Sequence, residues 1–189
     1  MSETDAELIQ KFCDGQTEAF NLLVERWQPR IHRVAYRYFN SHDEAMEITQ
    51  KTFIKVYKKL YTLDDYAAFP AWIYRIANNL CRDETKRAGR RHPTSLAGLN
   101  NHLVAESIAD KQIHQKQLAI MLQQALQQLS PEQRMVVIMK EYEALKFTEI
   151  AAALGVPEST IKSRMYAGLT KLRDIFDQWN INKETLYYE

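Results

Sequence analysis

The chain has few residues of the kinds that interrupt helices or build covalent frameworks. Its 189 residues include 5 glycines, 5 prolines and 2 cysteines. This scarcity of glycine and proline favours a helical protein over a turn-rich β protein. Cys13 and Cys81 lie far apart and outside any C-x-x-C motif. A disulfide framework and a cysteine zinc site are therefore disfavoured, and a reducing compartment is expected.

The sequence also lacks the local signatures of common enzyme classes. It contains no G-x-x-x-x-G-K-[ST], G-x-G-x-x-G, G-x-S-x-G or H-E-x-x-H string, and its 5 histidines have no ligand spacing. No apolar run approaches the ~18 residues of a membrane span, and the N-terminal MSETDAELIQ is acidic, unlike a signal peptide. We expect a cytoplasmic binding protein with no catalytic residue, metal, cofactor or small-molecule substrate.

The chain has enough apolar residues to form a packed core. Hydrophobic residues make up 46% of the chain, which disfavours global disorder. The formal net charge is only +1. Any surface for nucleic acid must therefore come from local segregation of charge.

The stretch Thr148–Arg173 predicts two helices joined by a tight turn. Thr148 is expected to cap the first helix, and Gly155 suits a left-handed turn because it has no Cβ. Pro157 and Glu158 then open the second helix. This pattern indicates a helix-turn-helix, although a plain helical hairpin with a solvated face has the same outline.

The second helix of this stretch has two predicted faces. Its apolar stripe is Ile161, Met165, Leu169 and Leu172. Its other face carries hydroxyls, cations and a tyrosine, and no acid: Ser159, Lys162, Ser163, Tyr166, Thr170 and Arg173. Such a face fits a DNA major groove, with base edges near its N-terminal residues and phosphates near its cations.

A helix in the N-terminal half carries a second candidate surface. Ser41 and Glu44 are expected to form a capping box that opens it. Glu47, Gln50 and Ile54 then lie away from its apolar face. An aliphatic residue beside an amide on a polar face indicates a partner surface, although a single exposed aliphatic is also common.

The next helix, from Phe69, combines a basic stripe with aromatic residues. Arg75, Asn79, Arg82 and Lys86 share one side at helical spacing, with Asn78 adjacent and Trp72 and Tyr74 nearby. Basic residues can follow a phosphate backbone, while rings and amides can hold unstacked bases. A solvated amphipathic helix with aromatic residues in the core would show the same pattern.

Composition divides the chain into two all-α domains. After His92 the helical periodicity gives way to a segment with Pro, Gly, Asn and Ser, which predicts a flexible linker. We expect a helical domain over residues 1–92, a linker over 93–112, a helix-turn-helix domain over 113–176 and a tail over 177–189.

Four strings together carry a resemblance to a known family. They are FNLLVERWQPRIHRVAYRYF, HDEAMEITQKTFIKVY, FPAWIYRIANNLCRDETKR and ALQQLSPEQRMVVIMKEYEALKFTEIAAALGVPESTIKSRM. In order and spacing they resemble the bacterial sigma factors of the extracytoplasmic-function (ECF) group, within the sigma-70 family. The likeness covers roughly Leu8–Phe176. It implies a cytoplasmic factor that directs core RNA polymerase to promoters and is controlled by an anti-sigma factor, which in some cases holds it at the inner membrane face.

The resemblance implies three sets of site residues. The set that docks on the clamp of core polymerase is Glu44, Glu47, Gln50, Phe53 and Ile54. The set that opens DNA at the −10 element is Asp64, Tyr66, Trp72, Arg75, Asn78, Asn79, Arg82 and Lys86. The set that reads the −35 element is Ser159, Thr160, Lys162, Ser163, Arg164, Tyr166, Lys171 and Arg173.

The chain departs from the family pattern at four positions of the docking and recognition helices. Met46 and Lys51 stand where acids are usual in the docking motif, and Ala167 and Leu169 stand where the recognition helix often has basic residues. We therefore expect phosphate contact to depend more on the basic residues that remain in that helix, which are Lys162, Arg164, Lys171 and Arg173.

Two other classes of protein remain compatible with parts of the pattern. A helix-turn-helix repressor or activator would bind DNA alone, usually as a symmetric dimer. The separate basic and aromatic helix of the N-terminal half, and the lack of dimerisation heptads, disfavour it. An adaptor sequestered by a membrane-bound partner would bind neither polymerase nor promoter DNA.

Overall fold

The computed structural model describes residues 3–91 and 110–180, with side chains over 3–89 and 117–180. Those parts of the chain form eight α-helices, two short 3₁₀ turns and no strand, which confirms the all-α prediction. The helices are α1 Asp5–Cys13, α2 Glu18–Phe39, α3 His42–Lys59, α4 Phe69–Arg91, α5 Asp110–Gln127, α6 Pro131–Glu141, α7 Phe147–Leu154 and α8 Glu158–Gln178. Most of the predicted linker, and the tail beyond residue 180, lie outside the described residues.

Side chains at the helix starts satisfy backbone N–H groups that have no intrahelical acceptor. Ser41 accepts a hydrogen bond from the Glu44 N–H at 3.3 Å, and Ser130 accepts one from Gln133 at the start of α6. The predicted cap at Thr148 is wrong. Helix α7 begins at Phe147 with Lys146 at its N-cap, two residues before the predicted cap, and the Glu149 carboxylate accepts the Lys146 N–H at 2.6 Å instead.

The N-terminal bundle of α1–α4 is organised around the buried ring of Trp27. This ring meets Phe69 and Tyr74 edge-on, with centroids 5.6 and 5.7 Å away. The indole N–H donates to Asp5 at 3.0 Å, and Asp5 also binds Arg26 at 2.5 Å, so α1 is tied to α2. Apolar burial and a satisfied indole together fix α4 against α2.

The C-terminal half packs α8 against α6, whose five residues from Met135 to Met139 are all buried. The predicted stripe of α8 needs one correction. Leu169 is 42% exposed, and Gly168 is buried in its place. At ~100° per residue, a position eight residues after Ile161 is rotated about 80° from it, whereas one seven residues on is within about 20°. The turn before α8 has Gly155 at φ 68°, as predicted.

The two halves of the chain contact each other at the carboxyl end of α2. The last carbonyls of a helix have no partner within the helix. Here Gln123 donates to the Arg37 carbonyl at 2.8 Å, and Arg134 donates to the Tyr38 carbonyl at 2.7 Å. The Nε atoms of Arg37 and Arg134 are buried and have no acceptor among the described protein atoms. Each such N–H costs on the order of 1–3 kcal/mol. The hydrogen-bonding groups at this contact between the two halves are therefore only partly satisfied.

We predict that Gly168→Val lowers the free energy of unfolding by about 1–3 kcal/mol through overpacking. A Cβ at this glycine would already lie 3.2 Å from Cγ2 of Val137. The matched control is Gly89→Val in α4, where a Cβ meets nothing within 4 Å. Valine is the better helix former of the two, so the control should be neutral or slightly stabilising. Urea denaturation measures both, and equal effects would contradict the close packing of α6 and α8.

Candidate docking and nucleic-acid interfaces

An apolar groove of about 710 Å³ runs between α2 and α3. Phe20 and Val24 line it from α2, and α3 contributes Met46, Phe53, Ile54 and Tyr57. Three of these side chains are strongly exposed: Met46 at 64%, Ile54 at 47% and Tyr57 at 49%. Neighbouring exposed apolar side chains in a concave site are typical of a surface that a partner covers.

Four of the five predicted docking residues line this groove, which brings them together as the sequence implied. Glu47, Gln50, Phe53 and Ile54 are all part of its wall, with Phe53 buried at its floor. Glu44 is not part of the wall. It is half-buried one turn earlier, and burial raises the pKa of its carboxyl above the usual range.

Sequence reasoning missed Met46 as a member of this surface. The signal was present, because Met46, Gln50, Phe53 and Tyr57 recur at the i, i+4, i+7, i+11 spacing of one helix face. Met46 was interpreted only as a departure from the family pattern, so its place in this stripe was not recognised. Its thioether adapts to irregular partner surfaces, as methionine does in other binding sites.

The Lys51 ammonium stands beside two acids rather than facing a partner alone. It contacts Glu47 at 2.5 Å within α3 and lies 3.8 Å from Glu84 on α4. Half-exposed pairs of this kind contribute little stability. Glu47 and Glu84 do compensate the charge of Lys51, so the lysine does not make the edge of the groove strongly basic.

The basic stripe predicted on α4 is present on the surface. Arg75, Asn79, Arg82 and Lys86 are exposed. Trp72 is half-buried, with its ring 6.1 Å from that of Phe69. This arrangement brings cations and an aromatic edge onto one helix, as the sequence indicated.

The structure does not place Asn78 on that surface. Its side chain is 6% exposed and lies one turn after the buried Tyr74 and just before the buried Cys81. Helical spacing from these two residues turns it toward the bundle interior. Asn78 is thus a buried polar group of the bundle, whereas the adjacent Asn79 faces outward.

The loop before α4 is held by local hydrogen bonds. Asp65 accepts the Ala67 N–H at 2.9 Å, which forms the turn that leads into the helix. Asp64 is exposed, and Tyr66 is half-buried. A hydrogen bond with the Cys13 thiol raises the pKa of Tyr66, so the loop also contacts the end of α1.

The polar face of α8 is exposed over most of the predicted −35 set. Ser159, Lys162, Ser163, Tyr166, Lys171 and Arg173 are exposed, whereas Thr160 and Arg164 are half-buried. The Lys162 ammonium pairs with Glu158 at 2.6 Å, and this hydrogen bond raises the pKa of Lys162. Part of its charge is therefore compensated within the helix.

The first helix of the helix-turn-helix, α7, contacts α4 directly. Arg75 donates a hydrogen bond from Nη2 to the Ala152 carbonyl at 2.5 Å. The same contact region contains Glu143, in the loop between α6 and α7. Its carboxylate accepts from the Tyr74 hydroxyl at 2.9 Å. Burial, and then the nearby Glu143 charge, raise the pKa of Tyr74, so the phenol stays protonated as a donor.

Across the described side chains, no group of three or more His, Cys, Asp and Glu residues is placed to hold a metal ion. Among the described helices, none is both long and apolar enough to cross a bilayer. The candidate surfaces are therefore the groove and the two exposed faces of α4 and α8.

Fold and surfaces define a helical protein with an apolar groove between α2 and α3 and a helix-turn-helix in its C-terminal half. Family models described as Sigma-70 region 2 and Sigma-70, region 4 match residues 23–91 and 119–172. The ECF RNA polymerase sigma-E factor of Salmonella typhimurium is 33% identical over 177 residues, which cover 88% of this chain and 92% of that protein. The chain belongs to the sigma-70 family of RNA polymerase sigma factors, in the ECF group.

Other relatives agree with this placement, and solved structures share the fold. The RNA polymerase sigma-H factor of Pseudomonas aeruginosa is 30% identical over 87% of this chain and 89% of its own length. The ECF RNA polymerase sigma factor SigE of Mycolicibacterium smegmatis is 36% identical, and the chain spans 59% of it. In solved structures, CnrH in complex with the cytosolic domain of CnrY has a TM-score of 0.70 at 22% identity, covering 93% of this chain and 99% of that one. RpoE of Bartonella quintana, in complex with the anti-sigma factor NepR, has a TM-score of 0.64 at 22% identity, and the match covers 84% of this chain and 96% of that one.

The variant Glu44→Gln tests, through the pH dependence of Tm, whether burial of the Glu44 carboxyl affects stability. Burial raises the pKa of this carboxyl above its ordinary value of 4.5, so the folded state binds the proton more tightly than the unfolded state. Stability is then lost as pH rises through the window above 4.5. We expect Glu44→Gln to raise Tm at pH 7 by about 2 °C, with the gain shrinking as pH falls toward that value.

Thermal denaturation between pH 4 and 7 measures this effect. Glu25→Gln, at an exposed acid of α2, is the control and should leave the pH dependence of Tm unchanged. A gain for Glu44→Gln that does not vary with pH would contradict the assignment to burial of the charge.

Proposed function

We propose that this chain brings core RNA polymerase to a set of promoters and opens the DNA there, under the control of an anti-sigma factor. The observation that carries the proposal is the coexistence, in one ECF-group chain, of an apolar docking groove and two exposed DNA-facing helices. The groove supplies a partner surface, and α4 and α8 supply separate nucleic-acid surfaces. Its work is binding and positioning, without a catalytic group or cofactor of its own.

Docking on core polymerase is assigned to the groove between α2 and α3. Ile54 and Met46 are exposed at its edge, and Phe53 forms its floor. Covering such side chains stabilises a complex through apolar burial. Glu47 and Gln50 provide polar groups at the rim, where they would fix orientation rather than supply most of the affinity.

Strand separation at the −10 element is assigned to α4 and the loop before it. Arg75, Arg82 and Lys86 follow one side of the helix and suit a phosphate backbone. Trp72 and Asn79 suit an unstacked base. Capturing a base requires a few kcal/mol of unstacking, which stacking and phosphate contacts offset.

Readout of the −35 element is assigned to the exposed face of α8. Ser159 and Ser163 near its start can reach base edges, and Lys171 and Arg173 further along can reach phosphates. Lys162 would have to exchange Glu158 for a phosphate. We therefore assign more of the phosphate contact to the two later cations.

The proposed partners are core RNA polymerase, promoter DNA and an anti-sigma factor. The Bartonella quintana structure is a sigma factor bound to an anti-sigma factor, which supports a partner of that class here. Since polymerase and chromosome are cytoplasmic in bacteria, we assign the chain to the cytoplasm. A membrane-bound anti-sigma factor would hold it at the inner membrane face.

Run-off transcription from a genomic fragment library tests the proposal. Purified core polymerase with and without this chain should differ by discrete new transcripts. If new transcripts are absent although core binding is demonstrable, the chain is a polymerase-associated regulator instead. If core binding is absent as well, a stand-alone DNA-binding protein becomes the better account.

Ile54→Asp should weaken binding to core polymerase by tenfold or more, because a charge would replace an apolar group in the covered interface. Leu22→Asp is the matched control. Leu22 is an exposed aliphatic at 45%, close to the 47% of Ile54, but it lies outside the groove wall. Fluorescence anisotropy with labelled protein measures both affinities. Equal losses would show that the groove is not the docking site.

Arg173→Gln should reduce the slope of log K against log [salt] for −35 duplex DNA by about one, without altering sequence preference. Lys162→Gln should change the slope less, because Glu158 already pairs with this cation. Titrations at four salt concentrations give both slopes. A larger effect at Lys162 would mean that the Glu158 pair breaks on the DNA and that our division of phosphate contacts is wrong.

A further inference from the structure

A cluster of three rings lies at the corner where α2 ends and α3 begins. Only Asn40 and Ser41 separate the two helices, and Asn40 has a left-handed backbone at φ 56°, which asparagine tolerates better than most residues. This short connection brings His32 and Tyr36 of α2 beside His42, the first residue of α3. The Tyr36 and His42 rings stack with centroids 4.5 Å apart, and the two imidazole centroids are 6.0 Å apart.

The two imidazoles have no polar partner among the described side chains. Within residues 3–89 and 117–180, neither ring forms a hydrogen bond or an ion pair. His42 is exposed and His32 is half-buried, so both rings can be reached from solvent. A neutral imidazole has one nitrogen that can accept, and this nitrogen is the commonest metal ligand among protein side chains.

A thioether lies beside this pair of imidazoles. Met46 follows His42 at the i, i+4 spacing, which puts the two side chains on one side of α3 with Cβ atoms ~5–6 Å apart. The Met46 side chain is 64% exposed, and it lines the same groove as His32. The corner between α2 and α3 therefore combines two imidazoles with one soft sulfur.

The separation of the imidazoles fits a shared ion. In protein sites an imidazole nitrogen lies ~2.0–2.1 Å from its metal, which puts the centroids of two rings on one ion roughly 5–6 Å apart. The His32 and His42 centroids, at 6.0 Å, are at the upper end of that range. Stacking on Tyr36 covers a face of the His42 ring and not the edge that carries its nitrogens.

The kinds of donor indicate which ion would bind. Imidazoles alone suit zinc, copper, nickel and iron, whereas thioether ligands select Cu(I). Only two of the three side chains are of the His, Cys, Asp or Glu kind, and the third donor is the Met46 sulfur. A hard, oxygen-seeking cation has no reason to prefer this set.

We propose that His32, His42 and Met46 form a binding site for Cu(I) at the corner between α2 and α3. Tyr36 is a positioning residue, because its ring holds the plane of the His42 imidazole. The site needs only these two helices and the turn between them, so it is independent of the proposed promoter function. Binding involves no change of oxidation state, because the ion arrives as Cu(I).

The test uses the full chain in a Cys13→Ser background, because Cys13 is an exposed thiol and thiolates also bind Cu(I). The probe is Cu(I) held by the chromophoric chelator ferrozine without oxygen, and loss of the chelator's colour measures transfer to the protein. His32→Gln, His42→Gln and Met46→Leu each remove one donor, the last with little change of volume. Met165→Leu, which removes a buried thioether of α8, is the matched control.

The Cys13→Ser parent should take up one Cu(I) per chain. Each donor variant should raise the Kd for Cu(I) by about tenfold or more, since even an outer partner of a metal ligand typically contributes ~10–100-fold. Met165→Leu should match the parent. Failure of the parent to take copper from the chelator, or equal Kd values in the donor variants and the control, would overturn the site.

X-ray absorption at the copper edge identifies the donor atoms independently of affinity. The parent should show nitrogen neighbours and a sulfur neighbour of copper, and Met46→Leu should lose the sulfur. A purely structural role of Met46 would leave that signal in place. Because Cys81 is fully buried and Cys13 is replaced, a sulfur neighbour that persists in Met46→Leu would overturn Met46 as a ligand.

Discussion

The carboxyl end of α2 is the point on which the arrangement of the two halves depends. A helix leaves its last carbonyls without intrahelical partners. Here side chains of α5 and α6 supply the missing donors, with Gln123 and Arg134 at 2.7–2.8 Å from their acceptors. The same helix contributes Trp27 to the N-terminal core and Val24 to the docking groove. One helix therefore positions the partner surface and the C-terminal half together.

Several cations of this molecule are paired with acids, and the net charge of the chain is only +1. Lys51, Lys162 and Arg33 each have an acid within 2.6 Å. Exposed basic residues are then found on the outer side of α4, near the end of α3 and along the far part of α8. Local segregation of this kind, rather than total charge, determines where a polyanion is attracted.

Promoter binding and the closed arrangement place opposite requirements on the contact between the two halves of the chain. Promoter binding needs α4 and α8 to be accessible at two separated DNA elements, whereas in the closed arrangement of this structure α7 contacts α4. Removing one partner of a buried charge pair is costly, because it leaves an uncompensated buried charge. Glu143 is a buried carboxylate, and both of its partners, Arg33 and Tyr74, belong to the other half.

Sequence by itself determined the helical class, the helix-turn-helix with Gly155 in its turn, and three of the five buried residues of α8. These follow from periodicity and backbone sterics, which are local. Only the tertiary structure decided the rest. Asn78 turned inward, and Gly168 replaced Leu169 in the core, because the neighbouring helix selects which flank of a stripe is covered. The pairing of Glu143 with Arg33 joins residues 110 positions apart, and no local pattern encodes a contact of that range.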